Sequence, residues 1–236
     1  MKRSLLAFSA AALTAVVLPV AASAQIVEVG QTSTPLVAPT CPAGVSASRC
    51  TIVLTRVTAL ETLNDGHAYP TTIRHAGDIV ALELGISSIS SNAKTRKSDI
   101  SYLNSTYGGT PRAEVTVLRP YGPRSQYGWE VAANSAPIFL ERYLGQVAQF
   151  PLSKPIPVVA GERIALTVGT WAPVLSFDLA SKKFAYRQSR SANCSRPPAS
   201  EQAQQKVGEI GHYRCNYAGT RAEYTVTEIT TPTRTS

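Results

Sequence analysis

The clearest local signal in the chain is the heptapeptide AEVTVLR at residues 113–119. Successive side chains of a β-strand point to opposite faces, so Ala113, Val115 and Val117 share one apolar face. The valines, with the threonine between them, also favour extended backbone because they are β-branched. The heptapeptide therefore predicts a strand that packs one face on a core, with Glu114 on the opposite, solvent-facing side.

Similar short, β-rich runs recur on both sides of this heptapeptide. Turn sequences rich in Gly, Pro and Asn separate them, and 16 prolines leave few windows for a long helix. This pattern predicts an all-β fold: an antiparallel β-sandwich of jelly-roll or Greek-key type, with at most one or two short helices. The best helix candidate is residues 200–210, capped by Ser200. The other predicted strands lie at residues 51–58, 79–84, 129–132, 146–152, 163–168, 174–177, 184–188 and 222–228.

Two segments of the chain, residues 76–85 and 160–169, are identical at five of ten positions. Each reads Ala-Gly-acid and then continues into an apolar strand. Three alternate residues would face the core, starting from Val80 in the first segment and from Ile164 in the second. In both, the glycine is expected to take a backbone angle that other residues avoid. We interpret the segments as equivalent strands in two halves of a sandwich; chance similarity is the alternative.

The first 24 residues have the layout of a secretory signal peptide. Lys2 and Arg3 precede an apolar run, and Ala-Ser-Ala at residues 22–24 supplies the small side chains that a signal peptidase reads. A retained membrane anchor is the alternative, but the apolar run is short for the ~20 residues that a bilayer requires. We predict cleavage after Ala24 and a protein secreted from the cell, or periplasmic if the cell has an outer membrane.

The rest of the chain divides by composition into three parts. Residues 25–50 are a Thr-, Pro- and Val-rich segment, predicted to be extended and to hold a first disulfide loop. Residues 51–230 form the predicted single β-sandwich domain, and residues 231–236 are a polar tail. After residue 24, no stretch is apolar and long enough to span a membrane.

The four cysteines, Cys41, Cys50, Cys194 and Cys215, all lie beyond the predicted leader. An even number of cysteines in an exported protein is typical of disulfides. Of the three possible pairings we favour Cys41 with Cys50 and Cys194 with Cys215, because each pair brackets a short loop. A zinc site is the alternative, but these spacings lack the close CxxC pairs that zinc sites usually show.

The charge balance bears on the partner. The chain has 23 Lys and Arg against 15 Asp and Glu, and its net charge of +8 becomes +6 (8 − 2) once the two cations of the leader are removed. A mildly basic surface is compatible with an anionic polymer such as a cell-wall or extracellular polysaccharide. It is equally compatible with no charged partner, and export argues against nucleic acid.

No pattern in the sequence points to a catalytic centre or a cofactor. The histidines, His67, His75 and His212, lie outside any nucleophile motif, and Gly-x-Ser-x-Gly is absent from the sequence. No spacing among the carboxylates selects a glycosidase pair, and the turn at residues 64–66 lacks the further acids of a calcium loop. We expect no cofactor and no metal, with a carboxylate pair assembled only by folding as the open alternative.

Aromatic and basic residues cluster in two places, around residues 119–129 and 182–196. Exposed aromatic rings can stack on sugars, and neighbouring arginines can bind hydroxyl or carboxylate groups. The alternative is that the tryptophans lie in the core and the basic residues form an ordinary solvated surface. The candidate ligand-binding residues are Arg124, Tyr127, Trp129, Trp171, Arg187 and Arg190.

The sequence thus favours a secreted, non-catalytic β-sandwich that serves as an extracellular binding or structural module; if it binds a ligand, cell-wall or extracellular polysaccharide is the predicted one. An exported hydrolase of glycans or esters is the alternative, and it requires a cleft with at least two convergent ionisable groups. A β-sandwich hosts many functions, so the fold class alone does not decide between them.

Overall fold

The computed structural model describes residues 23–44, 50, 52–122, 128–190, 194, 203–204 and 206–232. The alternating runs seen in the sequence form strands, and every predicted strand overlaps an observed one. In chain order the strands are β1 Ile26–Val29, β2 Leu54–Asn64, β3 His67–Ala68, β4 Gly77–Gly85, β5 Arg112–Tyr121, β6 Gly128–Asn134, β7 Ile138–Phe139, β8 Val147–Val158, β9 Arg163–Ala172, β10 Leu175–Ser176, β11 Ala185–Gln188, β12 Ile210–His212, β13 Cys215–Ala218, β14 Arg221–Ala222 and β15 Tyr224–Thr230.

The strands form two main antiparallel sheets. The four-stranded sheet has the order β1-β15-β4-β8, and the nine-stranded sheet has the order β12-β6-β5-β9-β2-β11-β13, with β3 beside β2 and β7 beside β5. A small ladder of β10 with β14 completes the set. The prediction of an antiparallel β-sandwich with few helices is confirmed.

The main core lies between the two sheets. Leu82 and Val226 from the four-stranded sheet and Val115, Ile164 and Val168 from the nine-stranded sheet are completely buried in one cluster. Because Val115 alternates with polar neighbours, its burial follows from the period of two that the heptapeptide shows. Burial of such side chains contributes about 1.5–3 kcal/mol each to folding, which makes this interface the main stabilising contact.

The outer face of the nine-stranded sheet is also covered, and the expectation that Glu114 faces solvent is wrong. Glu114 is only 4% exposed. On the same face the hydroxyls of Thr116, Thr167 and Thr58 form a chain of hydrogen bonds across three strands. Gln204 lies over this chain, because its backbone N donates to the hydroxyl of Thr58 at 2.9 Å. Gln204, in the described part of the connection between β11 and β12, therefore covers a face that alternation alone assigns to water.

A single α-helix, α1 at Ala93–Tyr107, occurs in the described residues; a 3-10 turn at Glu141–Tyr143 is the other helical segment. The side chain of Asn92 caps the helix by accepting from Thr95 N at 3.0 Å. Gly108, at φ +83°, ends it in the left-handed region that glycine tolerates best. No residue of α1 is fully buried, so its termini, rather than an apolar stripe, define it.

The two similar segments turn out to be structurally unequal. β4 lies in the four-stranded sheet and β9 in the nine-stranded sheet. Gly161 has φ +94°, as expected, whereas Gly77 has no positive φ and is required for space instead: a Cβ there would collide with the carbonyl oxygen of Ile229. A bulge in β4 also leaves Val80 only half-buried and puts the preceding residue, Ile79, in the core. The predicted inward position of Val80 is therefore wrong.

Two further predictions have definite outcomes. Disulfides join Cys41 to Cys50 and Cys194 to Cys215, which confirms the predicted pairing. The predicted helix at residues 200–210 is wrong where it can be checked: its described residues are not helical, and Ile210 begins β12. Residues 200–202 and 205 lie outside the described residues.

Candidate functional site

The most distinctive side-chain arrangement in the described residues is one cation packed against two aromatic rings. The guanidinium carbon of Arg163 lies 3.5 Å from the ring centroid of Tyr69 and 4.5 Å from that of Trp129. The electron-rich faces of such rings attract a cation, by about 0.5–2 kcal/mol depending on its hydration. We call these three residues the Arg163 cluster; the two rings fix the orientation of its guanidinium.

Strand pairing builds the Arg163 cluster from distant parts of the chain. Arg163 begins β9 and Trp129 stands in β6, and both strands flank β5. Their partners in β5 are two residues apart, so both side chains project from the same face of the sheet. Tyr69 comes from the loop after β3, and Thr72 in that loop forms a β-bridge to Arg163. The cluster thus lies at the end of the sandwich where β9 begins, which we call the Arg163 end.

The charge of Arg163 is only partly solvated and is not neutralised by a carboxylate of the described residues. Burial lowers the pKa of its guanidinium, although arginine stays protonated throughout the physiological range. Its Nε is buried without a hydrogen-bond partner in the described structure. The adjacent acid, Glu162, is already engaged: it accepts from Arg119 Nε at 2.7 Å and from the backbone N of Val159 at 2.9 Å. Arg163 therefore retains the capacity to bind an anion.

Other exposed side chains lie at the Arg163 end, on both faces of the nine-stranded sheet. Arg74 is exposed two residues after Thr72, which pairs with Arg163. Arg119, whose side chain is 58% exposed and binds Glu162, and Tyr121, which is 46% exposed, alternate with the β5 partners of Arg163 and Trp129, so they project from the opposite face of β5. Asp78, at the start of β4, is an exposed acid at the same end. Exposed charges of both signs therefore lie at the Arg163 end.

The structure does not support the expectation that Trp129 and Trp171 present open rings to a sugar. Trp171 is 0% exposed, and its Nε1 donates to Asn104 Oδ1 and to the carbonyl oxygen of Gly109, both at 3.0 Å. It thereby anchors the end of α1 to β9. Trp129 is 6% exposed and belongs to an outer apolar cluster that includes Tyr213. Trp129 is therefore not itself open to a ligand; it contacts the partly exposed Arg163.

The basic stretch around residues 182–196 is not an open patch where the structure describes it. Arg187 Nη1 donates to the backbone oxygens of Tyr213 and Arg214, at 2.9 and 3.3 Å, and ties β11 to the chain after β12. Arg190 is 6% exposed. These arginines support the fold rather than face a ligand. Two further candidates, Arg124 and Tyr127, lie outside the described residues.

A second polar site lies at the opposite end of the sandwich. It is a cleft of about 180 Å³ against the four-stranded sheet, which we call the Arg221 cleft. Its described lining comprises Gln31, Thr34, Pro35, Leu36, Glu83, Val147, Arg221 and Thr225.

Charged groups beneath the Arg221 cleft hold the N-terminal segment in place. Arg221, 2% exposed, donates from Nη1 to the carbonyl oxygen of Pro35 at 2.9 Å and lies 3.5 Å from Glu223 Oε2. Glu223 in turn accepts from the backbone N of Val37 at 3.3 Å. Burial raises the pKa of Glu223, an effect that the nearby Arg221 opposes. Glu61, completely buried nearby, has a pKa raised well above the ordinary value, again because of burial.

Neither a further depression on the surface nor the metal-ligating side chains define a reaction centre in the described part of the chain. This depression, of about 570 Å³, is open and is lined by residues 177–179, 181 and 218–220, and Asp178 is the one carboxylate in its described lining. The described residues contain no group of three or more His, Cys, Asp or Glu side chains placed to hold a metal ion. Among the described helices, none is both long and apolar enough to cross a membrane.

Sequence reasoning singled out Trp129 but missed both of its partners, Tyr69 and Arg163. Tyr69 follows a short turn and Arg163 starts a strand, and neither position carries a local motif. The one available signal was Arg163 itself. It is a charged residue at the start of a predicted strand, and the residues after it alternate between the two faces of the sheet. Comparison of the chain with known protein families, curated proteins and solved structures finds no match.

Proposed function

We propose that the protein is exported and works outside the cell as a non-catalytic β-sandwich that binds polysaccharide at its Arg163 end. The leader-like residues 1–24 support export, and two disulfides are compatible with an oxidising compartment. The observation that carries the binding role is the Arg163 cluster, in which two rings orient a cation that has no carboxylate partner in the described residues.

The chemistry of this end suits a sugar polymer. A guanidinium offers several N–H donors in one plane, which matches the hydroxyl and carboxylate oxygens along a glycan. The end is assembled on paired strands, so the donors are held in place before the ligand arrives, and less entropy is lost on binding.

Retention on a panel of insoluble polysaccharides tests this proposal, with Arg163→Ala as the variant. Loss of charge-assisted hydrogen bonds worth about 1.5–3 kcal/mol predicts affinity lower by roughly 10- to 100-fold. The matched control is Arg142→Ala, which removes the same charge from an exposed residue of the 3-10 turn at the opposite end of the sandwich. Thermal unfolding of both variants checks that they are folded.

Two results would contradict the proposal. If the wild-type protein is retained on none of the polysaccharides, the binding role is lost altogether. If Arg163→Ala, shown to be folded, is retained as well as the wild type, the protein binds glycans somewhere else and the Arg163 cluster is not the site.

An exported hydrolase is the second candidate, because the Arg221 cleft brings ionisable groups together. Glu83 and Arg221 both line it, and Glu223 lies behind Arg221 with a raised pKa. A glycosidase needs two carboxylates that both reach the substrate. Glu223, however, is 1% exposed and is not among the described lining residues, so the accessible acid is Glu83 alone. This geometry favours binding over hydrolysis.

The discriminating measurement is hydrolysis of chromogenic glycosides and esters by the wild-type protein and by Glu83→Gln. We expect no turnover by either protein. Turnover that disappears in Glu83→Gln would establish the hydrolase and replace the binding proposal.

A further inference from the structure

We infer that the Arg163 end selects acidic sugars, and that its ligand carries carboxylate or sulfate groups rather than hydroxyls alone. This inference rests on the proposed function and specifies the chemical class of polymer that the site accepts. Two features support it: the hydration of the Arg163 guanidinium and the charges around it.

The first step concerns the hydration of Arg163. The two rings replace water over part of the guanidinium, and burial lowers its pKa, which means that the cation is less stabilised here than in bulk water. A neutral hydroxyl restores a hydrogen bond but no charge. A carboxylate or sulfate restores both, and it forms the shorter, stronger bonds that ionised partners make with arginine. An anionic group therefore gains more at this position than a neutral one.

The second step concerns the neighbours that could have neutralised Arg163. Glu162 is adjacent in sequence, but Arg119 and the backbone N of Val159 hold its carboxylate. In the described residues no acid lies within ion-pair distance of Arg163. The fold thus keeps this adjacent buried acid away from the cation, and among the described residues no carboxylate competes with an incoming anion for Arg163.

The third step concerns the length of the ligand. Arg74 is exposed two residues after Thr72, which pairs with Arg163, so positive charge extends beyond Arg163 itself. A single acidic sugar could contact Arg163 only, whereas a polymer with a repeated acidic group could also meet Arg74. Electrostatic attraction between exposed charges falls with ionic strength because salt screens it over about 8–10 Å. Binding of an acidic polymer should therefore weaken as salt is added.

Affinity electrophoresis with matched polymer pairs tests the inference on the full secreted protein. Polygalacturonate is compared with its methyl ester, which keeps the sugar backbone and removes the charge. Dextran sulfate is compared with dextran, so the two pairs separate carboxylate from sulfate recognition. We expect each charged polymer that binds to do so at least about tenfold more tightly than its neutral counterpart, a difference that one ionic hydrogen-bonded contact can supply.

Variants assign the selectivity to Arg163. Arg163→Gln should abolish the preference for the charged polymer, whereas Arg142→Gln, the same change at the opposite end, should leave it intact. Arg163→Lys should retain part of it, because lysine keeps the charge but loses the planar donor set. Trp129 adds an independent readout: the chain has two tryptophans, and Trp171 is buried at the other end, so a change in emission on binding reports from the cluster.

The outcomes separate this inference from the proposed function. Equal affinity for charged and neutral polymers would overturn acid selectivity while leaving glycan binding in place. A preference for charged polymers that survives in Arg163→Gln would also overturn it, since the selectivity would then come from general surface charge. Binding to neither polymer of either pair, nor to any insoluble polysaccharide, would remove both proposals.

Discussion

Tyr224→Phe is the substitution from which the structure predicts the sharpest effect on stability. Tyr224 belongs to the four-stranded sheet and is 1% exposed. Its hydroxyl crosses the sandwich to the nine-stranded sheet, where it donates to the carbonyl oxygen of Ile164 at 3.1 Å and accepts from the backbone N of Glu61 at 3.3 Å. One phenol therefore ties the two sheets together inside the core.

The size of the effect follows from what the phenylalanine variant leaves behind. Each hydrogen bond contributes about 0.5–1.5 kcal/mol net, and a buried donor left without an acceptor costs about 1–3 kcal/mol. Since removal of the hydroxyl also deprives Glu61 N of that acceptor, we expect a loss of roughly 1–3 kcal/mol in the free energy of unfolding. For a domain of this size each kcal/mol lowers Tm by roughly 2–4 °C.

Thermal and denaturant unfolding of Tyr224→Phe measure this loss. The matched control is Tyr102→Phe, which removes the same atom from a residue of α1 that is 62% exposed. The control should unfold like the wild type. If the two variants unfold at the same temperature, the hydroxyl of Tyr224 does not join the sheets, and the reasoning from its hydrogen bonds is refuted.

Four further predictions concern other parts of the molecule. The folded state raises the pKa of Glu61 well above 4.5, so it holds a proton that the unfolded chain releases; the free energy of unfolding should fall as pH rises above that value, and Glu61→Gln should flatten this slope in Tm measured against pH. Replacement of both Cys194 and Cys215 by serine, which opens a bridge of sequence separation 21, should cost about 3 kcal/mol in denaturant unfolding, and a cost near zero would contradict the loop-closure argument. Gly85→Ala should destabilise the protein, because its Cβ would collide with the carbonyl oxygen of Val37; Gly66→Ala, at φ +83° with open space around it, tests backbone strain without a collision. The intact mass of the protein purified from its native cells or culture medium should correspond to a chain that starts at Gln25 with both disulfides formed, and a retained leader would refute the predicted export signal.

Strands and disulfides could be predicted from sequence because their causes are local. The period of two in β5 and β9 reflects which side chains meet the core, and each cysteine pair closes a short loop. By contrast, α1 escaped prediction because it buries no residue completely and so shows little amphipathic pattern. Its only sequence signals are the caps, Asn92 and Gly108, which are as common in turns as at helix ends.

Burial on the outer face of the nine-stranded sheet could not be predicted, because it depends on a distant segment of the chain. From alternation alone, Glu114 and Thr116 are predicted to face solvent. In the structure, Gln204, nearly ninety positions later in the chain, lies over this face of the sheet. The bulge at Val80 is similar: it arises from how β4 pairs with its neighbours on both sides. The Arg163 cluster joins residues that are far apart in the chain. In the sequence, therefore, nothing marks Tyr69 and Arg163 as partners of Trp129.

The two ends of the sandwich hold an arginine in different ways, and this difference is the reason that we propose the ligand at the Arg163 end. Arg221 has a carboxylate partner in Glu223. Arg221 also donates to the carbonyl oxygen of Pro35, and Glu223 accepts from the backbone N of Val37. A ligand there would have to compete with contacts that hold the N-terminal segment. Arg163 is held by rings, which orient a cation without neutralising it. An external anion can therefore bind Arg163 without displacing a carboxylate of the described residues.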